Sequence, residues 1–176
     1  MDAKRIIYRD IESPMGTMIA GATEKGVCFL EWHDRGGVEQ IRLRVEKRYG
    51  GQPVEGTSKH LDKLEAELSK YFEGKLKEFS VKIDVHGTPF QMADWDQLLK
   101  IPYGETRSYG DIAKALGKPG ASRAVGHANG SNYLSIVIPC HRVIDSNGNL
   151  HGYGGKLWRK KKLLELERAG RQTESL

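Results

Sequence analysis

Apolar positions along this chain follow two periods, and the order in which they occur predicts its elements. Ile6–Asp10, Met15–Ala20 and Val27–Trp32 are short apolar runs separated by the turn residues Ser13-Pro14 and Glu24-Lys25-Gly26, which predicts three short strands with sequence neighbours antiparallel. Val38, Ile41, Val45 and Tyr49 then recur at helical spacing, and Leu61, Leu64, Leu68 and Tyr71 do so again. Gly50-Gly51 and Gly74 stop these two predicted helices. Phe79, Val81, Ile83 and Val85 alternate as a half-buried strand. Residues 1–86 hold no string that suggests chemistry and read as a small α/β domain, with the boundary around His86-Gly87.

A different pattern begins at Thr88-Pro89-Phe90-Gln91. Thr can cap a helix, Pro suits its first position, and Gln three residues on can complete a capping box. Trp95, Leu98 and Leu99 give this helix an apolar face, and Ile101-Pro102-Tyr103-Gly104 ends it. Ser108 caps a second helix whose Ile112 and Leu116 face inward. Gly117-Lys118-Pro119-Gly120 turns the chain into a third, Ala121–Asn129, which completes a helix–turn–helix outline. That third helix is built from small residues (Ala121, Ser122, Ala124, Gly126, Ala128), although interior Gly costs roughly 1 kcal/mol of helix stability. Such a face serves close approach to something bulky or tight packing against another helix.

Ile136-Val137-Ile138 reads as a buried strand that Pro139 closes, delivering Cys140 at a turn with His141 and Arg142 next. Asp145–Gly148 is a turn, and His151-Gly152-Tyr153-Gly154-Gly155 is a glycine-rich loop with one aromatic ring. Lys156–Glu167 reads as a closing helix with Leu157, Leu163, Leu164 and Leu166 as apolar contacts. Its Arg159-Lys160-Lys161-Lys162 run is a solvated face, and residues 171–176 are a frayed tail.

Composition narrows the class. Residues 1–100 hold 16 Lys/Arg against 17 Asp/Glu, a net of −1, whereas residues 101–176 hold 12 against 6, a net of +6. The whole excess of positive charge lies in the part that carries Cys140, which suits an anionic partner such as nucleic acid as well as it suits a plain basic surface. No apolar run approaches a membrane span, and Met1-Asp2-Ala3-Lys4-Arg5 has no signal-peptide core. Cys28 and Cys140 are therefore expected as free thiols in a cytoplasmic protein. No Walker or dinucleotide fingerprint is present, so no cofactor is expected.

Cys140 is the candidate for chemistry. Thiolate is the reactive form of cysteine, favoured by nearby positive charge or by a hydrogen-bonded base. Taken alone, a buried cysteine is more often a small core hydrophobe.

The full string Pro139-Cys140-His141-Arg142-Val143 resembles the active-site signature of the O6-alkylguanine-DNA alkyltransferases. Other strings stand in the same order as in that family: Gly87–Gln91, Ile101–Thr106, Ser108-Tyr109, Arg123–Gly126, Asn132, Tyr153–Gly155 and Leu163–Glu167. The likeness covers most of residues 87–170 and is weaker in the first domain. It implies an α/β fold in two parts: a ribonuclease-H-like domain over 1–86 and a mainly helical, winged-helix-like DNA-binding and alkyltransferase domain over 87–176.

The resemblance implies a self-inactivating repair protein. Cys140 accepts the alkyl group from O6-alkylguanine, and from O4-alkylthymine, in one in-line displacement without turnover. His141, oriented by Glu167, maintains the thiolate through a water, and Asn132 braces the turn. Tyr109 donates its phenol proton to the guanine ring. The carbonyls of Cys140 and Val143 read the exocyclic amine, the Gly154 amide contacts O6, Tyr153 closes the pocket, and Gly155 is among the substrate-binding residues. The helix bearing Ser122, Arg123, Ala124 and Gly126 lies in the minor groove of double-stranded DNA, and Arg123 fills the gap left by the flipped nucleotide. The protein acts as a monomer, with no membrane partner and no metal, because Cys28, His33 and His86 are too few and too scattered to form the zinc site of some relatives. His127 carries no assigned role. The alternatives are a lesion-binding protein without chemistry and a thiol hydrolase using Cys140 and His141.

Overall fold

Antiparallel pairing of β1 (Lys4–Ile11) with β2 (Met18–Ala22), and of β2 with β3 (Val27–Trp32), builds the first unit of the chain. The computed structural model describes residues 4–174, so Met1–Ala3 of the expected N-terminus and the last two residues of the expected tail lie outside the described residues. The chain divides into two units between His86 and Gly87. β2 begins later than the apolar run suggested because Ser13 and Gly16 close a turn through paired backbone bonds, and Ser13 Oγ also donates to the Gly16 carbonyl at 2.6 Å. α1 (Val38–Tyr49) buries Ile41, Val45 and Tyr49, and α2 (Lys59–Phe72) buries Leu61, Leu64, Leu68 and Tyr71.

Between these helices runs a strand the pattern did not announce, β4 (Gly51–Val54), parallel to β1, so the sheet order is β3-β2-β1-β4. A Cβ on Gly51 would stand 2.6 Å from Ile6 Cδ1, which explains why glycine opens β4. The expected strand over Phe79–Val85 is reduced to one bridge, Val27 with Ile83. Its alternation fails because Asp84 turns inward: Thr23 donates its hydroxyl to Asp84 at 2.6 Å, and the Asp84 amide donates to the Val27 carbonyl at 2.8 Å. A satisfied buried carboxylate overrides the apolar pattern there.

The second unit consists of α3 (Pro89–Leu99), β5 (Arg107–Ser108), α4 (Tyr109–Ala115), α5 (Ser122–Gly130), a 3-10 turn at Cys140–Arg142, β6 (Val143–Ile144) and α6 (Leu157–Glu174). Capping boxes start α3, through Thr88 and Gln91, and α4, through Ser108 and Asp111. α3, α4 and α5 pack on one another, and β5 pairs in parallel with β6. α6 runs past the expected end, since residues 171–174 continue the helix, and Leu157 is exposed rather than buried. No helix among the described residues is long and apolar enough to cross a membrane.

The run before Cys140 is not a strand. Ile136 has φ +72°, and the Val137 amide donates to Ser135 across it at 2.8 Å, a positive-φ γ-turn that is rare for any residue. Ile138 then donates to Leu134, and Cys140 to Ile138 across Pro139 (φ −82°, ψ 62°), an inverse γ-turn. With the Val137 and Ile138 amides satisfied locally, those two residues need no ladder partner.

Candidate functional site

Those consecutive tight turns set the position of Cys140, and Asn132 secures them. Its side-chain nitrogen donates to the Ile138 carbonyl at 2.9 Å, and its oxygen accepts from the Leu134 amide at 3.0 Å. Both bonds are buried, where an unmade partner would cost about 1–3 kcal/mol. Cys140 itself is nearly buried and opens into a cavity of about 800 Å³. Tyr109 from α4, Ser122, Arg123 and Gly126 from α5, and Tyr153 and Gly154 from the glycine-rich loop line that cavity with it. Asp145, Asn147 and Asn129 also line it and had no assigned role.

Behind Cys140 lies a buried charge cluster. His141 Nε2 stands 2.6 Å from Glu167 Oε2, and both side chains are shielded from solvent. An ionised carboxylate only accepts, so Nε2 is the nitrogen that donates in this bond and Nδ1 is the ring nitrogen turned away from Glu167. Nδ1 is buried and has no hydrogen-bond partner among the described residues. Arg142 also reaches Glu167, through Nε at 2.7 Å and Nη2 at 3.1 Å, while its Nη1 donates to the Ile101 carbonyl at 2.6 Å. Burial by itself raises the Glu167 pKa, but His141 and Arg142 outweigh it and hold the carboxyl far below the usual carboxylate range. Arg142 stood unassigned in the sequence although it is the side chain that anchors Glu167.

Opposite the cluster, Tyr109 donates its hydroxyl to the His151 carbonyl at 3.0 Å. Burial, then the negative charges of Asp145 and Cys140, push its phenol up to about 12, so Tyr109 keeps its proton and serves as a donor. Lys160 corrects the expected solvated basic face: it is only 1% exposed, and Arg159 is buried too. Lys160 Nζ donates to the His151 carbonyl at 2.8 Å and the Gly152 carbonyl at 3.2 Å, and it lies 5.8 Å from the Tyr109 ring centre. Arg159 donates to the Gly155 carbonyl at 3.2 Å. The first turn of α6 therefore pins the loop that carries Tyr153 and Gly154, and only Lys161 and Lys162 of the run face solvent. Burial lowers the Lys160 pKa to about 8, against the opposing pull of Cys140 and Asp145.

Other expected residues sit apart from the cavity wall. Val143 is fully buried, Gly155 is buried behind the loop, and Ala124 is exposed on α5 beyond the cavity lining. The helical spacing of a cationic run beside leucines held a signal for Lys160, because positions 160, 163, 164 and 167 share one face of α6. All four are buried.

Comparison with known proteins gives a consistent result. Residues 6–85 match the family described as 6-O-methylguanine DNA methyltransferase, ribonuclease-like domain, and residues 89–169 match its DNA binding domain. A methylated-DNA–protein-cysteine methyltransferase of Mycobacterium bovis is 58% identical over 164 residues, covering 93% of each chain. The inducible methyltransferase of that name from Bacillus subtilis is 42% identical over 147 residues, covering 84% of this chain and 82% of its own. The crystal structure of a Mycobacterium tuberculosis O6-methylguanine methyltransferase superposes with a TM-score of 0.80 at 43% identity over 93% of each chain. The OGT of the same organism, crystallised in complex with DNA, also superposes with a TM-score of 0.80, covering 93% of this chain and 94% of that one.

Proposed function

Since this chain belongs to the O6-methylguanine DNA methyltransferase family and repairs O6-alkylguanine in DNA as a protein-cysteine methyltransferase, we propose that Cys140 is the acceptor. The observation that carries this reading is the convergence of Cys140, Tyr109 and Arg123 on one cavity, backed by the buried His141–Glu167 pair. Cys140 Sγ attacks the alkyl carbon in line; the S–C bond forms as the C–O6 bond breaks, and the electron pair leaves with the guanine. His141 Nδ1 keeps the thiolate through a bridging water, and Glu167 fixes the ring that does so. Tyr109 gives up its bond to the His151 carbonyl and donates to the guanine ring nitrogen, which lowers the cost of the leaving base. The carbonyls of Cys140 and Val143 accept from the exocyclic amine, and the Gly154 amide donates to O6. Tyr153 closes the pocket, and Gly155, a substrate-side residue by the family likeness, backs the loop that carries it.

The small face of α5, with Ser122, Ala124 and Gly126, lies in the minor groove of duplex DNA. Arg123, which is exposed, enters the stack where the damaged nucleotide has flipped out. Flipping is required because a thiol cannot reach O6 within the duplex, and O4-alkylthymine is accessible by the same route. Residues 1–86 form the ribonuclease-like domain and 87–176 the DNA-binding and alkyltransferase domain, a division that the matches over 6–85 and 89–169 support. Every reacting group comes from one chain, which supports action as a monomer. The free thiols Cys28 and Cys140 suit the reducing cytoplasm.

Labelled methyl transfer from duplex DNA tests the reading. Wild-type protein should take up one methyl per molecule and stop, and Cys140→Ala should bind the damaged duplex but take up none. Sustained turnover, or uptake by Cys140→Ala, would overturn it.

A further inference from the structure

Asp94 is a fully buried carboxylate on α3 that the proposed mechanism does not use. Its partner is Asn129 in the last turn of α5. With the amide oriented as its surroundings require, the Asn129 nitrogen lies 2.6 Å from Asp94 Oδ2, 3.3 Å from Oδ1 and 3.2 Å from the Val125 carbonyl. The next residue, Trp95, donates its indole N–H to the Ala128 carbonyl at 2.9 Å. Consecutive side chains of α3 therefore grip consecutive residues of α5 at the end that lines the Cys140 cavity.

The elements packed against α3 carry Asp111 and Lys114 on α4, Arg123 and His127 on α5, and His141 and Arg142 in the 3-10 turn. None of them contributes to the titration of Asp94, which burial alone raises to about 7. A carboxylate kept from water with one neutral side-chain donor is a costly way to join two helices, and an apolar pair would hold them without that cost. The polar pair calls for a role beyond packing.

We propose that Asp94 and Asn129 are a positioning pair that fixes α5 for duplex DNA, holding Ser122, Arg123 and Gly126 where the flipped nucleotide must pass. The inference rests on the proposed seating of α5 in the DNA groove. Asp94 touches no substrate; it acts through the Asn129 amide and the helix behind Arg123. The ionised carboxylate accepts a charge-assisted bond from that amide, and protonation weakens it. Transfer from duplex DNA should therefore depend on the pair, whereas a free O6-methylguanine base reaches Cys140 without a groove to fit.

Single-turnover rates of the full chain on damaged duplex and on free O6-methylguanine base give the test. Asp94→Ala should slow the duplex reaction about tenfold and leave the free-base reaction unchanged. Asn129→Ala should slow the duplex reaction similarly, and the double variant no further. Asp94→Asn keeps an acceptor for the Asn129 amide but not the charge, and should hold the duplex rate near the wild-type value at low pH. The wild-type ratio of duplex to free-base rate should fall as pH drops through about 7, with the thiol chemistry cancelling in the ratio, and Asp94→Asn should abolish that dependence. Equal losses on both substrates in Asp94→Ala, or a ratio independent of pH in wild type, would overturn the proposal. Wild-type protein inert towards both substrates would instead sink the assignment of Cys140.

Discussion

Glu167 Oε2 and His141 Nε2 are 2.6 Å apart inside the protein, and Arg142 binds the same carboxylate from its other side. One acidic side chain from α6 thus orients the imidazole behind Cys140 and neutralises a buried guanidinium. Glu167→Gln keeps the shape but removes the charge that Arg142 requires. Breaking a buried pair of this kind costs on the order of 3–5 kcal/mol. The Glu167 pKa is depressed in the fold, so its contribution is present above about pH 4 and lost as pH falls below that. Chemical denaturation across this range should show wild-type protein losing stability towards acid more steeply than Glu167→Gln. Parallel pH profiles would contradict the account.

Lys160 titrates in the opposite sense to an ordinary surface lysine. Its folded pKa of about 8 lies below the unfolded value of about 10.4, so the folded state sheds its proton first and gains stability from Lys160 as pH rises between them. Subtracting the pH profile of Lys160→Met from that of wild type isolates the contribution of Lys160. The same variant frees the His151 and Gly152 carbonyls, and should slow methyl transfer by about tenfold through misplacement of Tyr153 and Gly154. An unaltered transfer rate would show that the loop holds its place without the lysine.

Ile136 is strained where its neighbour is not. Both Ile136 and Ile138 are buried, but only Ile136 has positive φ, which costs an L-residue roughly 1–2 kcal/mol. Replacement by glycine removes a similar apolar side chain at each position and relieves strain at one. Ile136→Gly should therefore destabilise less than Ile138→Gly by about that amount, measured by denaturant unfolding. Equal losses would contradict the turn.

Asp94 makes a stability prediction independent of its proposed role. Its pKa is raised from 3.8 to about 7, so the folded state holds a proton that the unfolded chain releases, and stability falls as pH rises between those values. Asp94→Asn removes that cost. It should be more stable than wild type at about pH 8, by up to about 4 kcal/mol, with the advantage shrinking towards about pH 4. A variant less stable than wild type at the higher pH would contradict a carboxylate whose burial outweighs its bond from Asn129.

Much of the site was legible because its signals are local. The Thr88–Gln91 and Ser108–Asp111 caps, the helix–turn–helix outline and the Pro139–Val143 string all depend on neighbours in sequence. What was missed depends on distant partners. Ile136–Ile138 has strand composition, but tight turns satisfy the Val137 and Ile138 amides and Asn132 takes the Ile138 carbonyl. Asp84 breaks an alternating pattern because Thr23, far away in sequence, receives it. Lys160 sits in a run of cations that reads as surface, and only the carbonyls of a loop earlier in the chain make its burial tolerable. β4 is too short and polar to register until β1 pairs with it.

Intact-protein mass followed by peptide mapping, after incubation with duplex DNA carrying O6-methylguanine, identifies the residue that accepts the methyl group. One added methyl should appear on the peptide containing Cys140, none on the peptide containing Cys28, and guanine should be restored in the DNA. A methyl found on any other residue, or a damaged duplex bound with no change in protein mass, would contradict Cys140 as the acceptor.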